Sequence, residues 1–259
     1  MMNFMKRNAV LHALGHAVNG FRQDLRFQIT KRQYVYRRPG VISTYLASHP
    51  VKKLQLGAGP VGLDGWLNTD LRPRHANDIF LDARDPFPFD DATFDYIFAE
   101  HFVQDLPYQI TKSMLRECCR VLKPGGKIRL AVPNLWSFAN LCGGNRTEPF
   151  QSHIRWYVDN YFSGADGYAG GFVVNNLMRE VQFLFDPETL RLALEKGGFD
   201  AVVECPVGHS DDEHLRNLES HGKVLGCEAV NQFETLVMEA LRPSEKTPVA
   251  SRQAVGASS

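Results

Sequence analysis

Long apolar runs are missing from these 259 residues. No stretch approaches the roughly 20 apolar residues needed to span a bilayer, and the N-terminus has no continuous apolar segment of the secretory-signal kind. Cysteine pairing is missing too. The five cysteines (118, 119, 142, 205 and 227) are odd in number and form no CxxC, which argues against a disulfide framework and against a zinc site. A reducing cytoplasm is the expected setting, and no metal is expected. Net charge is also absent: 29 Lys and Arg balance 29 Asp and Glu, so no nucleic-acid partner is expected.

The neutral total hides an asymmetry. Residues 1–53 hold ten Lys or Arg and a single acid, Asp24. Met1 to about Leu25 reads as an amphipathic helix, with Phe4, Leu11, Leu14, Val18, Phe21 and Leu25 near a spacing of three to four. Arg22, Arg26, Lys31, Arg32, Arg37 and Arg38 follow. Residues 1–50 are therefore expected to be a basic helical extension. It would pack on the domain or a partner, or make a peripheral contact with anionic lipid.

From Lys53 the pattern changes to alternating strands and helices. Strands are expected at Leu54–Leu56, Trp66–Asp70, Asp78–Leu81, Phe94–Phe98 and Lys127–Val132, with a helix over Thr111–Leu122. A later helix over Pro187–Lys196 has proline at its start and Gly197-Gly198 at its end. Ala201–Cys205 and Phe233–Ala240 read as the last strands. The alternation predicts an α/β fold, a Rossmann-like seven-stranded, mostly parallel sheet with helices on both faces. Residues 51–242 form that domain, and 243–259 read as a disordered tail. Residues 134–185 break the rhythm. They are rich in aromatics, including Trp136, Phe138, Trp156, Tyr157 and Tyr161, and hold a glycine-rich run, Gly164–Gly171. They read as a lid-like insertion after the fifth strand, or as a small subdomain core.

Ligands of open parallel sheets bind beyond the C-terminal ends of the strands. Gly57–Gly59, Asp70, Asp82 and Glu100-His101 all fall at such ends, so one ligand could touch them all. Gly57-Ala58-Gly59-Pro60-Val61-Gly62 is literally GxGxxG. A dinucleotide site needs a helix next, aimed at the pyrophosphate. Pro60, Gly62 and Gly65 disfavour one, and seven residues between Gly59 and Leu67 are short for a crossover of ~10–12 residues. Asp70 follows Gly57 by 13 residues rather than the ~20 of dinucleotide folds. An adenosine-bearing ligand without a pyrophosphate fits better.

Leu54-Gln55-Leu56-Gly57-Ala58-Gly59, Asp70, the acidic-aromatic run Asp85–Asp95 and Arg120-Val121-Leu122-Lys123-Pro124-Gly125-Gly126 together resemble the successive motifs of class I S-adenosylmethionine-dependent methyltransferases. Gly65-Trp66-Leu67-Asn68, Asp186 to Leu190 and Gly198-Phe199 are similar to the small, type 11-like members with a shortened first crossover. The resemblance covers roughly residues 53–242. It implies S-adenosyl-L-methionine as cofactor, with Gly57, Ala58 and Gly59 under its methionine part. It implies Asp70, beside Leu71, on the ribose hydroxyls, and Asp82 and Ala83 at the adenine. Glu100 also falls among the cofactor contacts. His101 is a candidate base or a contact residue; the later pair of relatives' Glu-His-x-x-Glu-His-Leu is here Gln104-Asp105. His153, Trp156 and Tyr157 are the candidates for substrate contact. His209, Asp211, Asp212 and His214 read as a solvated loop rather than a metal site. The implied reaction is methyl transfer to an O or N nucleophile of a small molecule or glycan. The rivals are a catalytically idle binding or scaffold module and a nicotinamide oxidoreductase.

Overall fold

The computed structural model describes residues 27–143, 147–162 and 169–244. The helix expected over Met1–Leu25, part of the glycine-rich run and nearly all of the tail lie outside the described residues. Seven strands form one sheet: β1 (Lys53–Leu56), β2 (Leu67–Asp70), β3 (Ile79–Phe80), β4 (Phe94–Glu100), β5 (Leu122–Pro133), β6 (Asp200–Cys205) and β7 (Thr235–Leu241). Their order is β3-β2-β1-β4-β5-β7-β6. The first five run parallel, and β7 lies antiparallel to both β5 and β6. The order reverses between β1 and β4, where an open α/β sheet opens a crevice for a ligand. A seventh, antiparallel strand departs from the six-stranded dinucleotide order.

Alternation along the strands sorts the side chains. Leu54, Leu56, Ile97, Ala99, Ile128, Leu130, Val132 and Met238 belong to one core cluster. Helices α2 (Tyr108–Val121) and α6 (Pro187–Gly197) add Met114, Leu115, Cys118, Leu190, Ala193 and Leu194 to it. Each of these large side chains is worth about 1.5–3 kcal/mol on burial. The ends of α6 are as the sequence predicts. Asp186 caps it by accepting from the Thr189 amide (2.7 Å), and Gly198 takes a left-handed φ of 101° to leave it. Helix α1 spans residues 27–48 and enters the same core through Tyr45. Tyr45 also ties α1 to β1 and to the segment before β2: its hydroxyl lies 2.9 Å from the Lys53 carbonyl and 3.1 Å from the Gly65 carbonyl, and it accepts from the Lys53 amide. The cations of α1 meet the protein itself. Arg37 and Arg38 donate to the carbonyls of Ala76 and Phe80, and Lys31 sits over the Phe80 ring.

The opposite face carries Gln55, Tyr96, Phe98 and Arg129. Over β1 and β4 it is covered by Trp66 and Leu215, from the segments before β2 and after β6. No helix forms between β1 and β2, as the glycines and Pro60 predict. The fifth strand, expected from Lys127, begins earlier: Leu122–Gly126 is the start of β5. It is irregular there: the register with β4 shifts, and the Gly125 amide donates to Arg242.

Residues 134–185 leave and rejoin the sheet at one place, because Asn134 bridges Phe185. Helices α3 (Leu135–Cys142), α4 (Glu148–Tyr161) and α5 (Gly170–Glu180) pack there around Phe138, Leu141, Ile154, Val158 and Val173. Two short helices, α7 (His221–Leu225) and α8 (Glu228–Glu234), lead into β7.

Candidate active site

The glycine loop lies at the sheet's switch point, between the ends of β1 and β2. Gly57 and Gly59 have φ of 64° and 55°, in the left-handed region that costs other residues about 1–2 kcal/mol. The two glycines serve different ends. A Cβ on Gly57 would meet the Phe102 ring at 2.4 Å, so this glycine admits a neighbour. A Cβ on Gly59 would meet nothing within 4 Å, so this one faces open space. Asp70, the last residue of β2, accepts from the Gly59 amide through Oδ2 (2.9 Å) and from the Arg72 amide through Oδ1 (2.7 Å). A carboxylate has about four acceptor positions, so both oxygens keep capacity for a diol. Leu71 beside it is 41% exposed, an apolar surface next to that carboxylate. Backbone open on one side, a carboxylate with free lone pairs and an adjacent apolar side chain fit an adenosyl group carrying an amino-acid tail.

The remaining strand-end residues are engaged by the protein. Asp82 holds the Arg84 guanidinium (2.9 and 2.6 Å), which lowers its carboxyl below the usual range; Ala83 is buried beside it. Glu100 turns toward α7, where its oxygens accept from the Ser220 amide, the Ser220 hydroxyl and the His221 amide at 2.8–2.9 Å. His101 adopts φ 45° and stacks on His221, with ring centroids 3.7 Å apart. Burial, then the neighbouring His221, pushes its pKa down to about 3.

A cavity of about 170 Å³ opens one residue from this loop, since His101 lines it while Phe102 packs on Gly57. Pro133 at the end of β5, Tyr157, Leu177 and Val181 also line it. Its polar wall is His221, Glu234, Gln104 and Asp105. Glu234 is 2% exposed, and its oxygens contact His221 Nε2 (2.9 Å) and the Tyr157 hydroxyl (3.1 Å). Burial raises the Asp105 carboxyl to about 6. Gln104 Oε1 is buried and has no hydrogen-bond partner among the described residues. A larger cleft of about 500 Å³ lies by Tyr45, Trp66 and Leu67, at the N-terminal end of β2, the wrong end of the sheet for chemistry.

Of the three side chains expected to touch substrate, only Tyr157 lines the cavity. His153 is 2% exposed between Phe138 and Phe233, neither ring nitrogen is hydrogen-bonded among the described residues, and burial lowers its pKa to about 4. Trp156 packs on Tyr157 and Tyr161. His221 and Glu234 were not anticipated. They lie on helices of five and seven residues, too short for a periodic signal. In the His209–His214 loop, expected to be solvated, Asp212 pairs with Lys127 (2.9 Å) and His214 packs on Tyr96. Among the described residues the group whose ligand atoms come close enough for an ion is His101, His221 and Glu234. The two rings lie within 24° of parallel, so their in-plane lone pairs run side by side and do not converge on one ion.

Arg120 is one of several groups that hold the acidic-aromatic run. Arg120 donates to the Phe87 and Phe89 carbonyls and pairs with Glu117 and Asp91. Its role is to seat Phe87 and Phe89 in the core.

Residues 62–130 match the family model described as a methyltransferase domain. The match runs from Gly62, just after the glycine loop, into β5, so this stretch is similar to methyltransferase domains. No curated protein matches the chain. Among solved structures it is similar to a chain of the complex between the Haloferax volcanii Trm112 methyltransferase activator and a putative methyltransferase, at 16% identity over 83% of this chain and 94% of that one, with a TM-score of 0.44. It is similar to a SAM-dependent methyltransferase from Archaeoglobus fulgidus (16%, 83% and 94%, 0.44). It is also similar to an S-adenosylmethionine-dependent methyltransferase from Mesorhizobium loti (14%, 80% and 97%, 0.45). Among the described residues no helix is long and apolar enough to cross a membrane.

Proposed function

We propose that the chain methylates an O or N nucleophile of a small molecule or glycan, which enters the cavity beyond β4 and β5. The observation that carries this reading is adjacency. The cavity begins at His101, and the next residue, Phe102, packs on Gly57 of the cofactor loop. Methyl transfer needs chiefly an aligned nucleophile at near-attack distance, and alignment contributes several kcal/mol. Bound S-adenosylmethionine would supply an electrophilic methyl group on a sulfonium. The protein's residues hold and orient: Gly57, Ala58 and Gly59 seat the methionine part, Asp70 takes the ribose hydroxyls, and Leu71 with Ala83 flanks the adenine. Tyr157 and the apolar wall of Leu177 and Val181 exclude water from the acceptor's side.

The nicotinamide reading lacks a helix N-terminus at the glycine loop. The scaffold reading predicts cofactor binding without turnover. Calorimetric titration with S-adenosylhomocysteine and NAD separates them. Micromolar binding of S-adenosylhomocysteine and none of NAD is expected; the reverse would overturn the proposal. Absence of label transfer from S-adenosyl-[methyl-³H]methionine to any fraction of a metabolite extract would favour the scaffold.

A further inference from the structure

The cavity contains a polar arrangement that binding and alignment do not require. Glu234, at the end of α8, is buried, and Tyr157 already donates to its Oε2. Its Oε1 lies 2.9 Å from His221 Nε2. A carboxylate that accepts at both oxygens fixes the imidazole tautomer, with the proton on Nε2 and the lone pair on Nδ1. Among the described residues no hydrogen bond engages that Nδ1, and the His221 side chain is 22% exposed where it lines the cavity. Glu100 holds the same residue from behind through its backbone amide, and His101 stacks on its ring.

Three other groups face this ring. His101 is held neutral by burial, so it adds no charge beside an imidazolium on His221. Asp105 lies across the cavity, and His153 Nε2 sits 3.6 Å behind Glu234 Oε2. The fourth feature is Gln104, 5% exposed on the cavity wall, whose buried Oε1 has no hydrogen-bond partner among the described residues. A buried acceptor without a donor costs roughly 1–3 kcal/mol. A ligand that brings a donor removes that cost.

We propose that His221, positioned by Glu234, is the general base of the methyl transfer, and that the acceptor is a hydroxyl compound that brings a second donor to Gln104 Oε1. This rests on the methyltransferase reading above and narrows its acceptor from O or N to O. A neutral amine attacks through a lone pair it already has and needs no base beforehand. A hydroxyl is a poor nucleophile until its proton leaves. The acceptor oxygen bonds to the methyl carbon as the carbon–sulfur bond breaks, and that electron pair stays on sulfur. The hydroxyl proton passes to Nδ1 of His221. The positive charge that leaves the sulfonium thus reappears on an imidazolium beside the Glu234 carboxylate. The products are a methyl ether and a thioether, and no oxidant or metal is needed.

Two measurements decide it. Nitrogen-15 NMR of the full chain labelled at histidine, with and without S-adenosylhomocysteine, reads the His221 tautomer; His221→Asn assigns the signal. The expected result is Nε2–H with a bare Nδ1, and loss of that preference in Glu234→Gln. A proton on Nδ1 in the neutral wild-type protein would overturn the proposal. The second measurement is carbon-13 NMR of products formed from S-adenosyl-[methyl-¹³C]methionine and a metabolite extract. An O-methyl signal is expected, reduced at least 100-fold in His221→Asn with S-adenosylhomocysteine affinity changed less than threefold. An N-methyl product, or undiminished turnover in His221→Asn, contradicts it. Failure to bind S-adenosylhomocysteine would sink the methyltransferase reading instead, and the tautomer would still be read independently.

Discussion

The amide of His221 donates to Glu100 Oε1 at 2.9 Å, which ties the end of β4 to the start of α7 across 121 positions of the chain. This bond, with three more from Ser220, gives the Glu100 carboxylate a structural task. Replacing Glu100 with Ala removes the acceptor for part-buried donors. A stability loss of about 1–3 kcal/mol is expected by chemical denaturation, with S-adenosylhomocysteine affinity within threefold of wild type. A collapse of affinity in a folded variant would restore Glu100 to the cofactor contacts.

The two loop glycines should fail differently. Gly57→Ala meets both the left-handed backbone and the Phe102 ring, so a loss of about 2–4 kcal/mol in stability is expected. Gly59→Ala meets only the backbone cost of about 1–2 kcal/mol. Its methyl group would project into the open side of the loop, so its main effect is expected on cofactor affinity. Thermal melting paired with calorimetry separates the two; equal destabilisation would contradict the assignment.

Arg129 is fully buried and pairs with Glu219 (2.6 Å) and Glu239 (2.5 Å). It also donates to the His209 carbonyl, and Glu219 accepts from the Gly208 amide. These bonds anchor the segment that carries Ser220 and His221. Arg129→Met leaves two carboxylates without their cation, and about 3–5 kcal/mol of stability should be lost. A loss below about 1 kcal/mol would mean that the segment is anchored elsewhere.

His153 sets part of the acid limit. Its folded pKa of about 4 lies below the ordinary 6.5 because burial disfavours the charged ring. Between those values the unfolded chain binds the extra proton, so stability falls as pH drops from 6.5 toward 4. The full contribution is on the order of 3 kcal/mol. His101 adds to the same trend, with its lowered pKa of about 3. Asp105 works the other way, since its raised value near 6 favours the folded state most at low pH. His153→Phe, measured by denaturation from pH 4 to 7, should flatten the slope and leave methyl transfer intact. An unchanged slope would show that the ring is not buried neutral.

The parallel half of the fold was legible because its signals are local. Gly57, Gly59, Asp70, Asp82 and Glu100 fall at the ends of their strands or within three residues of them, and Pro187 and Gly197-Gly198 mark the two ends of α6. What escaped is set by contacts distant in sequence. Glu100 has the right place for a cofactor contact, yet donors from Ser220 and His221 claim it. His153 sits among aromatics like a lid residue, yet Phe138 and Phe233 enclose it. Arg129 falls in an apolar strand, and only the fold brings Glu219 and Glu239 to it. The basic residues Lys31, Arg37 and Arg38 left open packing on the domain or a partner and contact with anionic lipid, and only the fold brings them to Ala76 and Phe80 at β3.

The most direct test is calorimetric titration of S-adenosylhomocysteine into the wild-type chain and into Asp70→Ala. Binding to the wild type and a loss of at least tenfold in the folded variant, about 1.4 kcal/mol, are predicted. Equal affinity in the two proteins would remove Asp70, and with it the glycine loop at the β1–β4 switch point, as the cofactor site.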